Sequence, residues 1–411
     1  MDPGTARRNY LAFLWHAGFL ALTTTFTDIN TVLPSLVVRS GGTSVHLGVL
    51  TAIMVGTPIL AQLLFASYLH LKRRKKPYLL LGINLRVISL ALVAVVLRRA
   101  GSLSPGAVIA LVFALMFMFA LSGTFAGVSY TDVLGKSVAA EERSRFFVER
   151  QVLTSLAILV SALAVRQVLA RLEYPDNYRW LFTLAAGFLF VASLGFWAVR
   201  EEPAAAREGV SRVIDVLRSI PGCIRRDARL RSWIMVVNLT GFGLTLMPFY
   251  VALARTRYGL PSGRVGTFLF LQIVGMLLSN YLWAKVVKRF GFAGIVIGCI
   301  TIGAALPLAA LGLSHGGLAL FLPVFFFMGV ALSARRIGFD GLFIDFTTNE
   351  NRALYRGIVG ATSLSTAAFP LVAGWLIHTL GFAPVFVAGS ACIAAAAYFV
   401  RPLFEGTVVE G

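Results

Sequence analysis

Apolar runs of about 20 residues follow one another along nearly the whole chain, separated by short polar or charged stretches. About 20 residues is what an α-helix rising 1.5 Å per residue needs to cross a hydrocarbon core of about 30 Å. The runs and the turn signals between them place twelve spans at 10–38, 45–71, 77–98, 106–131, 149–171, 179–200, 232–256, 263–286, 292–314, 317–339, 355–378 and 382–403. A membrane β-barrel would show segments of about ten residues in strict alternation instead. These runs are continuous, so the predicted fold is an all-α polytopic membrane protein. Arg7 and Arg8 precede the first run as in a signal peptide, but the run is long and has no clear small-residue cleavage site. It reads as an uncleaved first span.

Composition agrees: 58% of residues are hydrophobic and 13% charged, against roughly a quarter charged in soluble domains. The formal net charge of +19 changes the picture more, because Lys and Arg gather on the cytoplasmic side of short loops. An inside N-terminus puts 27 of the 37 basic residues in the cytoplasm, including the five of HLKRRKKP (70–77) between spans two and three, and predicts that both termini face inward. The charge then serves topology and attraction to anionic head groups, about 1 kcal/mol per basic residue near the surface. Nucleic-acid binding has no soluble basic domain to present it. The three cysteines are far apart and form neither a disulfide framework nor a zinc motif.

The longest polar segment, 201–231, divides an N-terminal bundle (1–200) from a C-terminal one (232–411). Within it Val210, Val213, Ile214 and Leu217 recur at helical spacing with Arg212 and Asp215 between them, predicting an amphipathic helix on the cytoplasmic membrane face. The halves look related. Asp132, Glu142 and Phe147 follow span four, and Asp340, Glu350 and Tyr355 follow span ten, each pair 208 positions apart.

With these residues in view the whole chain resembles the major facilitator superfamily. That family's loop signature is a Gly, three residues, Asp, Arg, one residue, Gly and two basic residues. Here it is degenerate twice: ASYLHLKRRK (66–75) has Ala66 at the Gly and His70 at the Asp position, and AKVVKRFG (284–291) has Lys288 at the Asp position but keeps Arg289 and Gly291. ENRALYRG (350–357) and ERSRFF (142–147) look more typical of bacterial members, while the Gly-Pro motif of drug/proton antiporters is absent from 155–168. The resemblance implies two pseudo-symmetric six-helix bundles, a multi-pass protein of a bacterial plasma (inner) membrane and a small-molecule solute as partner. No cofactor is expected, and nothing in the sequence demands an oligomer, so a monomer is expected.

An ionisable group inside a bilayer is a functional candidate by default, since a mid-depth charge costs at least about 2.5–3.5 kcal/mol. Asp28 is the one carboxylate clearly inside a span. Thr24, Thr27, Asp28 and Thr31 share a helix face at i, i+3, i+4 and i+7, with Asn30 beside them, which suits a water-filled cavity and a coupling proton. The other reading is that Asp28 pairs with a basic residue or caps a broken helix near Pro34. Arg336 and Asp340 are spaced for a local ion pair, leaving Arg335 to hold an anionic group in the cavity or to snorkel to the interface. Asn238, Gln272 and Asn280 are candidate hydrogen-bonders to a solute, or polar glue between helices. Arg86 lies deep enough in span three to need a partner. The resemblance makes that span peripheral, so structural pairing is expected. The clusters Asp132, Glu142, Arg143 and Asp340, Glu350, Arg352, with Arg336, read as ion-pair networks that close the cytoplasmic side in one state.

The function these features predict is secondary active transport of a small solute by alternating access, with protons as a candidate coupling ion, since no nucleotide-binding loop is present. Lipid translocation on the same fold and a non-transporting sensor or scaffold are the rival readings. The five histidines are isolated and no zinc-hydrolase motif occurs, which argues against an enzyme.

Overall fold

A computed structural model describes residues 3–70, 72–138, 142–201, 213–259, 262–348 and 352–404, and among these residues there is no strand. The first span is α1 (Pro3–Phe26) and α2 (Val32–Arg39), interrupted between them. The second is α3 (Ser44–Thr51), a π-helical turn (Ala52–Gly56) and α4 (Thr57–His70). Spans three to six are α5 (Lys76–Arg98), α6 (Pro105–Ser137), α7 (Arg143–Arg171) and α8 (Asp176–Ala198). A connecting helix α9 (Val213–Arg226) leads to α10 (Ala228–Tyr258), the seventh span, and α11 (Ser262–Leu313) contains the eighth and ninth. The short α12 (Leu318–Phe321) opens into α13 (Pro323–Phe346), the tenth; α14 (Arg352–Thr362) and α15 (Leu364–Leu380) make the eleventh, and α16 (Phe382–Phe404) the twelfth.

Ten helices among the described residues are long and apolar enough to cross a membrane, with α11 counted once. Splitting α11 and adding the interrupted first span gives the twelve read from the sequence. The split in α11 is a single residue, Gly291, at φ 63° and ψ −172°. Only glycine takes that conformation without cost, so the short loop expected between 286 and 292 shrinks to one residue, and span eight runs on to Phe290.

The chain divides into two compact units. Unit 1 comprises 1–42, 60–210 and 262–266. In it α1 packs on α7 and α8, and α5 packs on α6 and α8. Phe13 of α1 sits edge-on to Tyr130, Phe146 and Phe196 at centroid distances of 5.4, 6.4 and 5.3 Å, joining α1 to three neighbours through ring geometry that aromatic quadrupoles favour.

Unit 2 comprises 43–59, 211–261 and 267–411. Its core gathers Trp233, Trp283, Ile295, Val296, Phe339 and Leu342 around α10, α11 and α13. The first part of span two, 43–59, belongs to this unit because α3 meets α15 backbone to backbone. A Cβ on Gly48 would stand 2.3 Å from the Pro370 carbonyl oxygen, and one on Gly374 would stand 2.5 Å from that of Ser44. Small residues let membrane helices approach this closely. Large apolar side chains such as Leu64, Leu156, Trp197, Leu278 and Trp375 are exposed, as a surface bathed in lipid allows. The last part of the linker helix meets protein: its residues Ile220, Cys223 and Ile224 pack on Leu230, Ile234 and Ile358 of unit 2. Val210 and Arg212 lie outside the described residues, as do the side chains of Val213, Ile214, Asp215 and Leu217.

Candidate functional site

In span one the helix stops at Phe26 and restarts at Val32. Asp28 explains the break. Its Oδ1 accepts the backbone N–H of Asn30 at 2.9 Å, the N–H of Thr31 at 2.8 Å and the Thr31 hydroxyl at 2.8 Å, a side-chain turn that competes with helical hydrogen bonding. The expected shared face is therefore absent. Thr24 is exposed and donates to the Ala21 carbonyl at 2.9 Å, whereas Thr27 is buried and donates to Thr23, and Asn30 and Thr31 are buried in the turn. The helix is broken here, and Asp28 holds the turn ahead of α2, whose N-cap position is Thr31. Past the break, buried Ser35 and Tyr178 share a 2.6 Å hydrogen bond that ties α2 to α8. Non-helical backbone at membrane depth survives only where protein or a wet cavity surrounds it, so the break, with Thr27, Asn30 and Thr31 buried, does not face lipid.

Unit 2 brings its polar residues together between helices. Arg335 of α13 donates from Nη1 to the Thr240 hydroxyl at 2.6 Å and from Nη2 to the Val237 carbonyl at 3.4 Å, and its guanidinium lies 4.4 Å from the centre of the Phe339 ring. The Ser333 hydroxyl donates to Asn280 Oδ1 at 2.6 Å, joining α13 to the span-eight part of α11. Gln272 is buried on the turn where Gly329 makes a close backbone approach, and Asn238 donates to the Ile234 carbonyl of its own helix at 2.9 Å. These contacts link α10, α11 and α13 into one polar seam.

Arg86, the eleventh residue of the 23 in α5, departs from expectation. No described carboxylate pairs with it. Its guanidinium lies over the Phe119 ring at 4.3 Å and against Gly123 of α6, and its Nε is shielded from solvent without a hydrogen-bond partner.

The ends of the spans that carry most of the basic residues hold ion pairs arranged differently from the predicted clusters. Asp132 binds Lys75 at 2.8 Å and also Lys136. Glu201, with its side chain only 2% exposed, reaches Lys136 at 3.5 Å and accepts the backbone N–H groups of Lys75 and Lys76 at 2.8 and 2.7 Å. Asn9 and Arg200 exchange two hydrogen bonds of 2.9 Å and fix the segment before Glu201. Arg143 donates instead to the carbonyls of Gly135 and Val138, and Glu142 is exposed. In unit 2, Asp340 pairs with Arg356 at 3.1 Å, not with Arg336 one turn away. The side chain of Arg336 is exposed. Glu350 lies outside the described residues, as does the side chain of Arg352.

The sequence reading passed over the anchor of this end of unit 2. Asp227 caps α10 by accepting from Arg229 N–H at 2.9 Å and Leu230 N–H at 3.1 Å, and its Oδ2 takes the Tyr355 hydroxyl at 2.6 Å. Partial burial opposes its charge, but the Tyr355 hydroxyl, the Leu230 and Arg229 amides and the Arg229 guanidinium outweigh that and hold the carboxyl below its usual value. Glu201 was missed too. Its signal is an acid directly after an apolar run, on the side that carries the HLKRRKKP loop.

The family model of the Major Facilitator Superfamily matches residues 14–291, and the chain belongs to that superfamily. It is a multi-pass membrane transporter, not an enzyme. No curated protein matches it. Solved structures similar to it include a variant of the nucleoside transporter NupG (12% identity, 96% of this chain and 100% of that one, TM-score 0.70). A POT family transporter in complex with a thioalcohol-conjugated peptide is another (11%, 97% and 97%, 0.71), and a D-xylose-proton symporter a third (15%, 95% and 96%, 0.65). At these identities the likeness is one of fold.

Proposed function

We propose that the protein is a secondary active transporter that carries a small solute by alternating access, coupled to protons. The observation that carries this reading is the break at 27–31 inside span one, because transporters bind solutes and ions where helices are discontinuous near the bilayer midplane. Similar folds include proteins named for nucleosides and for D-xylose with protons, which supports a small solute as cargo. The basic ends of the spans face the cytoplasm, with both termini inside a bacterial plasma membrane, following the bias of Lys and Arg. Asp28 is the carboxylate through which protons couple, and its turn is the element that rearranges when the proton arrives.

The test is transport into proteoliposomes loaded with a pH-sensitive dye, with a panel of sugars, nucleosides, peptides and organic acids added outside. At least one solute acidifies the lumen in wild type, and Asp28→Asn loses proton movement while retaining solute exchange down a gradient. Acidification at the wild-type rate in Asp28→Asn would remove Asp28 from coupling. No flux of any solute with well-folded protein would contradict the transporter reading and favour a sensor.

A further inference from the structure

Inside unit 1 a file of donors runs from the basic end toward mid-span. Arg150 of α7 lies 5.8 Å from the Tyr130 ring of α6. The His16 ring of α1 lies 5.9 Å from the same ring and 4.1 Å from Phe196. Arg86 meets α6 at Phe119 and Gly123, on the helix face that also carries Tyr130 and about two to three turns farther from the basic end, so the donors follow α6 inward from Arg150 through Tyr130 to Arg86. Among the described residues no carboxylate pairs with Arg86 or Arg150. The ion pairs of the unit's carboxylates go to other cations: Asp132 to Lys75 and Lys136, Glu201 to Lys136, Glu149 to Arg145, Asp176 to Arg179. Asp28 Oδ1 is taken up in its turn. Two donors in the cluster, Arg86 Nε and the Tyr130 hydroxyl, are buried with no hydrogen-bond partner.

A mid-span arginine without a carboxylate is costly, and a shielded donor left unmatched adds to that cost. The π face of Phe119 offsets only a fraction of this. Such an arrangement persists where a ligand completes it. The missing chemistry is acceptor-only and negatively charged, and the planar guanidinium suits the paired oxygens of a carboxylate or phosphate. His16 does not compete for the role, since its Nδ1 donates to the Ala192 carbonyl at 3.2 Å.

We propose that Arg86, Tyr130 and Arg150 form an anion-binding site within unit 1, and that the transported solute is an organic anion carrying a carboxylate or phosphate group. The site deepens the transporter reading and rests on it. Arg335 in unit 2 supports the same solute class independently, since its guanidinium likewise meets hydroxyl, carbonyl and ring but no described carboxylate. Arg150 receives the anion near the basic end, and Arg86 holds it at depth.

The test is thermal unfolding of the delipidated full chain in detergent, at fixed ionic strength, with succinate, benzoate and glucose 6-phosphate against succinamide, benzamide and glucose. At least one anion raises the melting temperature by about 3 °C or more, while its neutral counterpart does not. Arg86→Gln and Arg86→Met abolish that rise. Without anion both variants melt at or above the wild-type temperature, because they remove an uncompensated charge. Sharp destabilisation of both variants without anion would assign Arg86 a structural pairing and overturn the proposal. So would a rise that survives Arg86→Gln, stabilisation by none of the soluble anions, or stabilisation by anionic phospholipid alone. Flux confined to neutral solutes in proteoliposomes would sink the anion site and leave the transporter standing, whereas anion stabilisation without any flux would do the reverse.

Discussion

Asp132 and Asp340 stand 208 positions apart at corresponding places in the two halves of the chain, yet the halves use them differently. Asp132 is 31% exposed, is held by two lysines and belongs to a network that ends on nearly buried Glu201. Asp340 is 70% exposed and makes one contact, to an arginine that is itself 60% exposed. Unit 2 places its anchor elsewhere. Tyr355, the repeat partner of Phe147, hydrogen-bonds Asp227 at 2.6 Å, which a phenylalanine cannot do. A repeated position therefore preserves the site of a charge without preserving its energetic weight, since weight follows burial and the number of donors satisfied.

Five substitutions sharpen or break this contrast. Glu201→Ala gives the largest effect, a loss of about 3 kcal/mol by thermal or denaturant unfolding, because it strands the backbone amides of Lys75 and Lys76 and leaves Lys136 with Asp132 alone. Asp227→Ala follows at about 1–2 kcal/mol, as for other N-cap losses, and Tyr355→Phe costs about 1 kcal/mol. Asp132→Asn costs about 1 kcal/mol after allowance for its partial exposure, with a changed transport rate. Asp340→Asn stays within about 0.5 kcal/mol of wild type and transports normally. Equal losses from Asp132→Asn and Asp340→Asn would mean that the two halves close their ends in the same way.

Acid adds a second handle on unit 2. The folded-state carboxyl of Asp227 is depressed, so its contribution is present above the unfolded value near 3.8 and disappears as the pH falls through the lower folded value. Acid melts of wild type and Asp227→Asn converge below about pH 4 on this account. A gap that stays constant to lower pH would show that the shift does not contribute to stability.

The twelve spans were legible because a bilayer demands long apolar helices, and a run of apolar residues states its length directly. Interruptions within a run were harder to read. TTTFTDINT fits a polar helix face and a broken helix equally well, and only the three donors converging on Asp28 Oδ1 decide for the break. The i, i+4 spacing of Arg336 and Asp340 pointed to a local pair, but Arg356, 16 residues on, takes the aspartate. Sequence spacing describes one helix, and this contact joins two. Glu201 looked like part of a linker until the fold brought the loop at Lys75 and Lys76 onto it. Arg86 shows the opposite case. A mid-span charge calls for a counter-charge, but no carboxylate among the described residues supplies one, and the Phe119 ring is what the guanidinium meets.

The most direct test of the transporter account is a pair of distance measurements by spin labelling in a cysteine-free background. One pair of labels, at Arg73 and Lys288, reports on the basic ends of the two units, and the other, at Gly106 and Gly317, on the opposite ends. Alternating access predicts two populations in each distribution, with solute shortening one distance while lengthening the other. A single unchanged distance at both ends, with and without solute and across pH, would contradict it.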